Sequence, residues 1–269
     1  MPYFSKKYFL DELFCLCYII TQEDRVINMK ENKKEKLLNE RQERLLKLVV
    51  ETHIETAEPV GSKFLVKQAG LNWSEATVRN DLRALEEVGY LTHPHTSAGR
   101  VPTAAGYRHY INSMNLNSVK ISDKDEKKVE EILTGDTQDF ESGVRTLAKG
   151  LAQISGEAIV YSFGSDKVYY TGLSNLFGKK EFTQPELVVN ISDVFDNCEE
   201  YLDEFEDMII DNPRFFLGEE QPFGEDLSVL ATRVRKDKSD MLMIVGGNRM
   251  DYKRNYALMQ KISEILNSL

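Results

Sequence analysis

Side chains suited to hydrogen bonding with DNA are concentrated between Ser74 and Arg100. Asparagine and arginine can each make two hydrogen bonds to a purine edge in the major groove, and threonine can contact a thymine methyl group or a phosphate. This composition indicates recognition of double-stranded DNA. The residues that we expect to contact it are Ser74, Thr77, Arg79, Asn80, Arg83, His95, Thr96, Ser97 and Arg100.

A helix must position the first five of these residues. Val78, Leu82 and Leu85 recur at i, i+4 and i+7, which predicts one apolar stripe along a helix. Ser74 can cap its N-terminus by accepting a hydrogen bond from a backbone N–H, and Gly89 can end it in a left-handed conformation. With the stripe packed inward, the outward positions are Ala76, Thr77, Asn80 and Arg83, with Arg79 at the flank. Such a pattern alone also fits an ordinary solvated helix. The neighbouring elements must therefore show whether this helix contacts DNA.

The neighbouring segments have the order of parts of a winged helix-turn-helix. A support helix from about Asn39 to Thr56 precedes a two-turn helix that Gly70 closes, and a tight turn then leads into the helix that would read DNA. A strand at Tyr90–Thr92 and a loop marked by glycine and proline follow. Arg100, at the return of this hairpin, is placed for a phosphate or a narrow minor groove.

Several ordered motifs resemble the heat-inducible transcription repressor HrcA family of bacteria. The resemblance runs from about Asn39 to the C-terminus. The motifs are His53–Ser62, Ala76–Leu82, Pro94–Thr103, Gly106–Tyr110, Gly172–Leu176, Leu217–Glu220 and Gly246–Tyr252.

The resemblance implies a homodimeric repressor that binds an inverted-repeat operator, called CIRCE, upstream of chaperone operons. It also implies GroEL chaperonin as the partner that keeps the repressor active, and release from DNA on heat stress. The family carries a GAF-like domain with a dimerising insert. In this chain the path from Ile154 to Gly172 is short, which implies a reduced GAF-like domain and leaves the dimer interface open.

The expected fold class is α+β, with an N-terminal winged helix-turn-helix domain followed by a reduced GAF-like α+β domain. The expected domains are an extension at 1–38, the DNA-binding domain at 39–115, a helical connector at 116–156 and a regulatory and dimerisation domain at 157–269. Apolar spacing from Phe140 to Ile154 predicts a helix that packs on the last domain and contributes to the dimer. A second stripe predicts one helix from Val194 to Met208.

The net charge of −10 is unevenly distributed along the chain. Residues 39–114 hold nine basic and nine acidic side chains, whereas residues 115–269 hold 18 and 29. Nonspecific attraction to phosphate should therefore be weak, so that binding depends on specific contacts and on dimerisation.

The cysteines, Cys15, Cys17 and Cys198, have no spacing typical of disulfide frameworks or zinc sites. A metal site that joins the first two to His93 and His95 is a weaker alternative, and we expect neither metal nor cofactor. A reducing cytoplasm is the simpler interpretation.

The apolar run from Tyr8 to Ile20 is too short to span a bilayer, and acidic residues interrupt it. We therefore expect no membrane association. Met29 is an alternative start of the protein that the sequence leaves open.

The sequence contains no P-loop, Rossmann glycine fingerprint or nucleophile elbow, which argues against an enzyme. Two alternatives to the repressor stay open. One is a winged-helix regulator of other genes that is gated by a small molecule, and the other is a degenerate module that has lost dimerisation. Operator titrations with chaperonin or with metabolites would distinguish these functions.

Overall fold

The computed structural model describes residues 38–68, 72–94, 99–133, 139–164, 167–235 and 239–268. Several of the predictions concern residues outside these ranges. They are the closure at Gly70, the wing residues His95, Thr96 and Ser97, and the N-terminal Cys15, Cys17 and Met29. Arg44 to Leu269 form one compact unit.

The first part of the chain contains helices and one short antiparallel pair of strands. The first and third helices bury an apolar stripe, which includes Leu45 and Val49 in the first and Val78 and Leu85 in the third. The elements are α1 (Glu40–Thr56), α2 (Ser62–Gln68), α3 (Glu75–Glu87), β1 (Leu91–Thr92), β2 (Val101–Pro102) and α4 (Ala104–Asn112).

Two helices lead into the second part of the chain, α5 (Asp123–Leu133) and α6 (Phe140–Ser155). α6 starts at a capping box between Asp139 and Ser142. The apolar stripe of α6 is buried within its own chain, with Leu147 only 4% exposed. The stripe thus packs within its own chain, as expected, and a contribution of α6 to a dimer stays a prediction.

A five-stranded sheet forms the centre of the second part. Its strands are β3 (Ala158–Ser162), β4 (Val168–Thr171), β5 (Arg214–Leu217), β6 (Leu227–Val234) and β7 (Asp240–Gly247). They lie in the order β4-β3-β7-β6-β5, and all neighbouring strands are antiparallel. The chain thus combines helices with antiparallel sheets, which confirms the expected α+β class.

Helices cover both faces of this sheet because successive strand residues point to opposite sides. Val160, Met243 and Val229 share one face with a core formed by the helical segment between β4 and β5. Ile159 and Ile244 lie on the other face, against α6 and the last helix. The remaining helices are α7 (Leu173–Phe177), α8 (Pro185–Asp196), α9 (Cys198–Phe205) and α10 (Tyr252–Ser268).

The sequence pattern predicted one helix from Val194 to Met208, but the structure breaks it at Asn197 into α8 and α9. The Asn197 side-chain amide donates to the carbonyl of Asp193 at 2.9 Å. Asparagine competes for backbone groups in this way, which favours helix ends over helix interiors. Met208 consequently falls outside the buried stripe and is 44% exposed.

Candidate nucleic-acid interface

The start of α3 is set by Ser74, as its sequence predicted. Its backbone is extended, and its hydroxyl accepts a hydrogen bond from the amide of Thr77 at 3.1 Å. The Ser74 and Thr77 hydroxyls are also within 2.9 Å of each other. Both side chains therefore organise the first turn of α3, where free backbone N–H groups favour a bound anion.

The end of α3 follows its glycine signal. Gly89 has φ of +89°, a conformation that only glycine adopts readily. The chain folds back there, and the amide of Tyr90 donates to the carbonyl of Leu85 at 3.0 Å. This geometry satisfies helix carbonyls that would otherwise lack donors, and it directs the chain into β1.

One face of α3 is exposed and carries the polar residues expected there. Arg79, Asn80 and Arg83 are all exposed, whereas Val78 and Leu82 are buried. The two arginines pair with acids one turn away on the same helix, Arg79 with Glu75 at 2.8 Å and Arg83 with Glu87 at 3.4 Å. Their side chains are 70% and 77% exposed, so these pairs are easily exchanged for another partner.

The hairpin after α3 is held by contacts that sequence reasoning missed. Arg100 forms an antiparallel backbone bridge with Val60, with both hydrogen bonds present at 2.8 and 2.9 Å. The Arg100 guanidinium pairs with Glu86 at 2.7 Å and is 24% exposed. Glu86 also bonds His93. Arg100 was expected to contact DNA freely, but here it already has an intramolecular partner.

Gly99 explains why the return of the hairpin can approach the preceding loop so closely. A Cβ at Gly99 would lie 2.5 Å from the carbonyl carbon of Val60. Any larger residue would therefore push the hairpin away from α2. The sequence signalled a turn here through its glycine, but not the segment against which that glycine packs.

A cation–π contact orients the turn before α3. The Arg44 guanidinium of α1 lies 5.6 Å from the centre of the Trp73 ring. The contact fixes the support helix against the entrance to α3, and the sequence alone gave no signal for it because the two residues are distant along the chain.

The C-terminal end of α1 is bonded by side chains from the second part of the chain. Arg249, in the turn between β7 and α10, donates to the carbonyl of Ile54 at 3.0 Å and to Glu181 at 2.6 Å. Lys180 lies 3.5 Å from the carbonyl of Thr56. Cations at this end of a helix satisfy free carbonyls and oppose its dipole. The sequence alone gave no signal for these contacts, because Arg249 and Ile54 are almost 200 residues apart along the chain.

His53, in the last turns of α1, lies in the same contact region. Its Nδ1 is 2.7 Å from the hydroxyl of Tyr107 on α4. Burial, together with the nearby Arg249, lowers the pKa of His53 to about 4, and Glu181 and Glu58 partly oppose this shift. His53 is consequently neutral at physiological pH.

A buried carboxylate lies behind this region. Glu157 is 3% exposed and pairs with Lys179. Burial raises the pKa of Glu157 to about 7, and its effect exceeds the opposing influence of Lys179. The proton on this carboxyl group is thus poised near neutrality.

A cavity of about 270 Å³ opens between α1, the base of the hairpin and the second part of the chain. It is polar on one side, where His53, Glu181 and Arg249 line it, and apolar at Phe182 and Leu187. Within the part of the chain that the structure describes, no group of three or more histidine, cysteine or acidic side chains is arranged to hold a metal ion. The described helices are also too short or too polar to cross a membrane.

Comparison with known proteins identifies the family. Residues 105–255 match the family described as the HrcA protein C terminal domain. The chain belongs to the HrcA family. The matched region starts in α4 and ends in α10, so α1 to α3 and the hairpin lie before it.

Curated relatives carry the same family name. The chain is 41% identical over 128 residues to a "Heat-inducible transcription repressor HrcA" of Cutibacterium acnes, a match that covers 47% of this chain and 37% of that protein. It is 56% identical over 77 residues to the protein of that name from Roseiflexus castenholzii, covering 29% and 21% respectively. The chain thus spans about a third or less of the length of these HrcA relatives.

A solved crystal structure described as that of a hypothetical protein, at 2.2 Å resolution, shares the fold. The TM-score is 0.71, the similarity covers 86% of this chain and 98% of the other, and the sequences are 18% identical. At this identity the likeness concerns the fold of the HrcA chain alone.

Proposed function

We propose that this chain is a sequence-specific DNA-binding transcription repressor that acts on heat-shock chaperone operons. The observation that carries the proposal is the exposed face of α3, where Arg79, Asn80 and Arg83 extend from a helix whose opposite face is buried. The HrcA relatives are named as heat-inducible transcription repressors, which supports the same function.

The first part of the chain then acts as a winged helix-turn-helix. α2 and α3 are the helix pair, α1 supports them, and β1 and β2 form the base of the wing. Asn80 and Arg83 contact base edges in the major groove, and Arg79 contacts a base or a phosphate at the flank. Ser74 and Thr77 place the N-terminus of α3 against a phosphate. From the sequence, we assign His95, Thr96 and Ser97 to contacts with the DNA backbone.

The second part of the chain acts as a GAF-like regulatory domain that controls the orientation of the DNA-binding part. The bonds from Arg249 and Lys180 to the end of α1 support this role, because they connect the two parts directly. An inverted-repeat operator requires two copies of α3 about 34 Å apart, or a multiple of that spacing, so the active species is a homodimer. GroEL chaperonin is the proposed partner that restores the repressor after heat.

Labelled duplexes test the proposal directly. We expect tighter binding to a CIRCE-type inverted repeat than to one half-site or to a scrambled duplex of equal length and charge. Warming should weaken the binding, and chaperonin with ATP should restore it. Sedimentation at several concentrations should give a dimer on the inverted repeat. Equal affinity for all three duplexes would reject sequence-specific recognition, whereas specific binding without recovery would reject only the chaperonin partner.

A second candidate is a regulator gated by a small molecule, which the cavity beside His53 and Arg249 favours. A ligand there would contact the base of the hairpin and the second part of the chain together, and so could change the affinity for DNA. Operator titrations with fractionated metabolite pools would separate this function from chaperonin control. A shift of affinity that Phe182→Trp abolishes, by filling the cavity, would support it.

A further inference from the structure

Glu86 connects α3 to both ends of the wing loop. It lies in the last turn of α3, and its two carboxylate oxygens have different partners. Oε2 pairs with the Arg100 guanidinium at 2.7 Å, and Oε1 bonds Nδ1 of His93. His93 directly follows β1, and Arg100 directly precedes β2. One carboxylate therefore fixes where the loop leaves the hairpin and where it returns.

Arg100 differs from the arginines of α3 in its freedom to reach DNA. Its side chain is 24% exposed, against 70% for Arg79 and 77% for Arg83. Its backbone is held in the bridge to Val60, and its Nε is buried. To bind a phosphate, Arg100 would have to leave a half-buried carboxylate, whereas Arg79 and Arg83 would leave only solvated partners on their own helix.

We propose that Glu86 is a positioning residue for DNA binding and that Arg100 is its partner rather than a phosphate contact. The inference rests on the proposed function. α3 and the wing must reach one duplex together, the helix in the major groove and the loop on the backbone or minor groove. The angle between them therefore has to be set before binding. A charged bond from the last turn of α3 to both ends of the loop sets this angle, and loop ends that are already held lose less conformational freedom on binding.

Replacement of Glu86 distinguishes this proposal from the alternative, in which Arg100 contacts a phosphate. The two predict opposite changes in the affinity for DNA. If Glu86 positions the wing, Glu86→Gln weakens binding to the inverted repeat by about five- to twenty-fold, with the salt dependence unchanged. If Arg100 is a phosphate contact that Glu86 partly neutralises, Glu86→Gln strengthens binding and steepens the salt slope by about one unit. Stronger binding with a steeper slope would overturn the proposal.

The matched control is Glu87→Gln, which removes the same charge from the neighbouring position. Among the residues that the structure describes, Glu87 pairs with the exposed Arg83, whereas Glu86 bonds His93 and Arg100. Glu87→Gln measures how the loss of one negative charge near DNA changes the affinity. The loss of affinity in Glu86→Gln is therefore compared with that of Glu87→Gln. In the double variant Glu86→Gln/Arg100→Ala, we expect an affinity close to that of Glu86→Gln alone, because Glu86→Gln already removes the interaction that Arg100→Ala would remove. Additive losses would contradict a shared role.

Hydrogen exchange of the protein without DNA tests the positioning role of Glu86 independently of the proposed repressor function. The amides of Val60 and Arg100 donate to each other's carbonyls and report on the return of the hairpin. Their hydrogen exchange should be faster in Glu86→Gln than in Glu87→Gln, while the buried centre of β7 exchanges as in the parent protein. Unchanged exchange at Val60 and Arg100 would overturn the positioning role, whatever the titrations show. Faster exchange in a protein that binds no duplex selectively would overturn only the repressor function.

Discussion

At the scale of single residues, an arginine can contact DNA only if its ion pair within the protein is weak enough to break. Arg79 and Arg83 each pair with an acid one turn away on an exposed helix face. Such pairs contribute at most about 1 kcal/mol and are screened by salt. A phosphate or a guanine edge can therefore replace the acid at little cost. Arg100 differs from these two arginines, because its partner Glu86 is less exposed and also bonds His93.

Substitutions on the exposed face of α3 test its assigned role. Asn80→Ala and Arg83→Ala should each weaken binding to the inverted repeat by about 1–3 kcal/mol. Both side chains are exposed, so thermal unfolding should change little. Footprinting and calorimetry measure the two properties, with the exposed Lys253→Ala of α10 as the control. If both variants protect the duplex like the parent protein, α3 is not the reading helix.

The buried His53 should make stability depend on pH. Its pKa is about 4 in the folded protein against 6.5 in a free side chain. Below pH 6.5 the unfolded chain binds a proton that the folded chain does not, so stability falls as pH drops from about 6.5 towards 4 and then levels off. Glu157, with its raised pKa, acts in the opposite direction over a similar range.

Because these two effects oppose each other, the test compares variants rather than one pH curve. We expect the parent to lose more unfolding free energy between pH 7 and 4.5 than His53→Gln, measured by urea denaturation. Glu157→Gln should show the reverse difference, since its folded state no longer holds an extra proton. Parallel curves for the parent and His53→Gln would show that His53 titrates normally in the fold.

At the scale of elements, the residue that follows α1 is unusual for the end of a helix. Most helix ends here use glycine or a polar cap, such as Gly156 with φ of +73° after α6. α1 is followed by Ala57 with φ of +60°. A left-handed conformation costs an alanine about 1–2 kcal/mol because Cβ approaches the carbonyl oxygen. Contacts from Arg249 and Lys180 to the end of α1 help to hold this strained turn.

Glycine at position 57 should therefore stabilise the protein. Ala57→Gly removes the Cβ clash, and we expect the unfolding free energy to rise by about 0.5–1 kcal/mol. Ala84→Gly in the interior of α3 is the matched control, and it should lower stability by about 1 kcal/mol. Denaturant titration of both variants checks the opposite signs. A loss of stability in both would mean that the turn after α1 is not strained.

Across the whole molecule, one arginine connects parts that the sequence places almost 200 residues apart. Arg249 bonds the end of α1 and Glu181, and both acidic and basic side chains there are largely buried. An aromatic cluster adds to this contact, since Tyr252 of α10 lies 5.9 Å from Tyr107 of α4 and 5.2 Å from Phe215 of β5. The packing of α1 and α4 thus depends on residues of the second part.

Loss of Arg249 should uncouple the two parts. Arg249→Ala leaves Glu181 and the Ile54 carbonyl without their donor, and we expect a destabilisation of about 2–4 kcal/mol. Trp73 is the only tryptophan of the chain and reports on the turn before α3. In the parent, Trp73 fluorescence and far-ultraviolet circular dichroism should follow one unfolding transition. In Arg249→Ala the fluorescence transition should come at lower denaturant, and coincident transitions would argue against this coupling.

Local patterns in the sequence determined most elements of this protein and the exposed residues of α3. Apolar spacing, the Ser74 and Thr103 caps and Gly89 depend on neighbours within a few residues, so they are legible from the chain alone. The break at Asn197 was missed because apolar spacing predicted that helix, and a side chain that bonds the backbone does not change the spacing.

Only the tertiary structure decided which long-range partners these residues have. Apolar spacing predicted the stripe of α6, but only the folded chain shows that this stripe is buried against the chain's own sheet and helices. Arg100 was expected to contact DNA, and the sequence gave no partner for Arg249, yet each arginine pairs with a carboxylate from another element. Periodicity records which side of an element is apolar, but the partner of a charged side chain depends on how distant segments are brought together, and that information exists only in the folded chain.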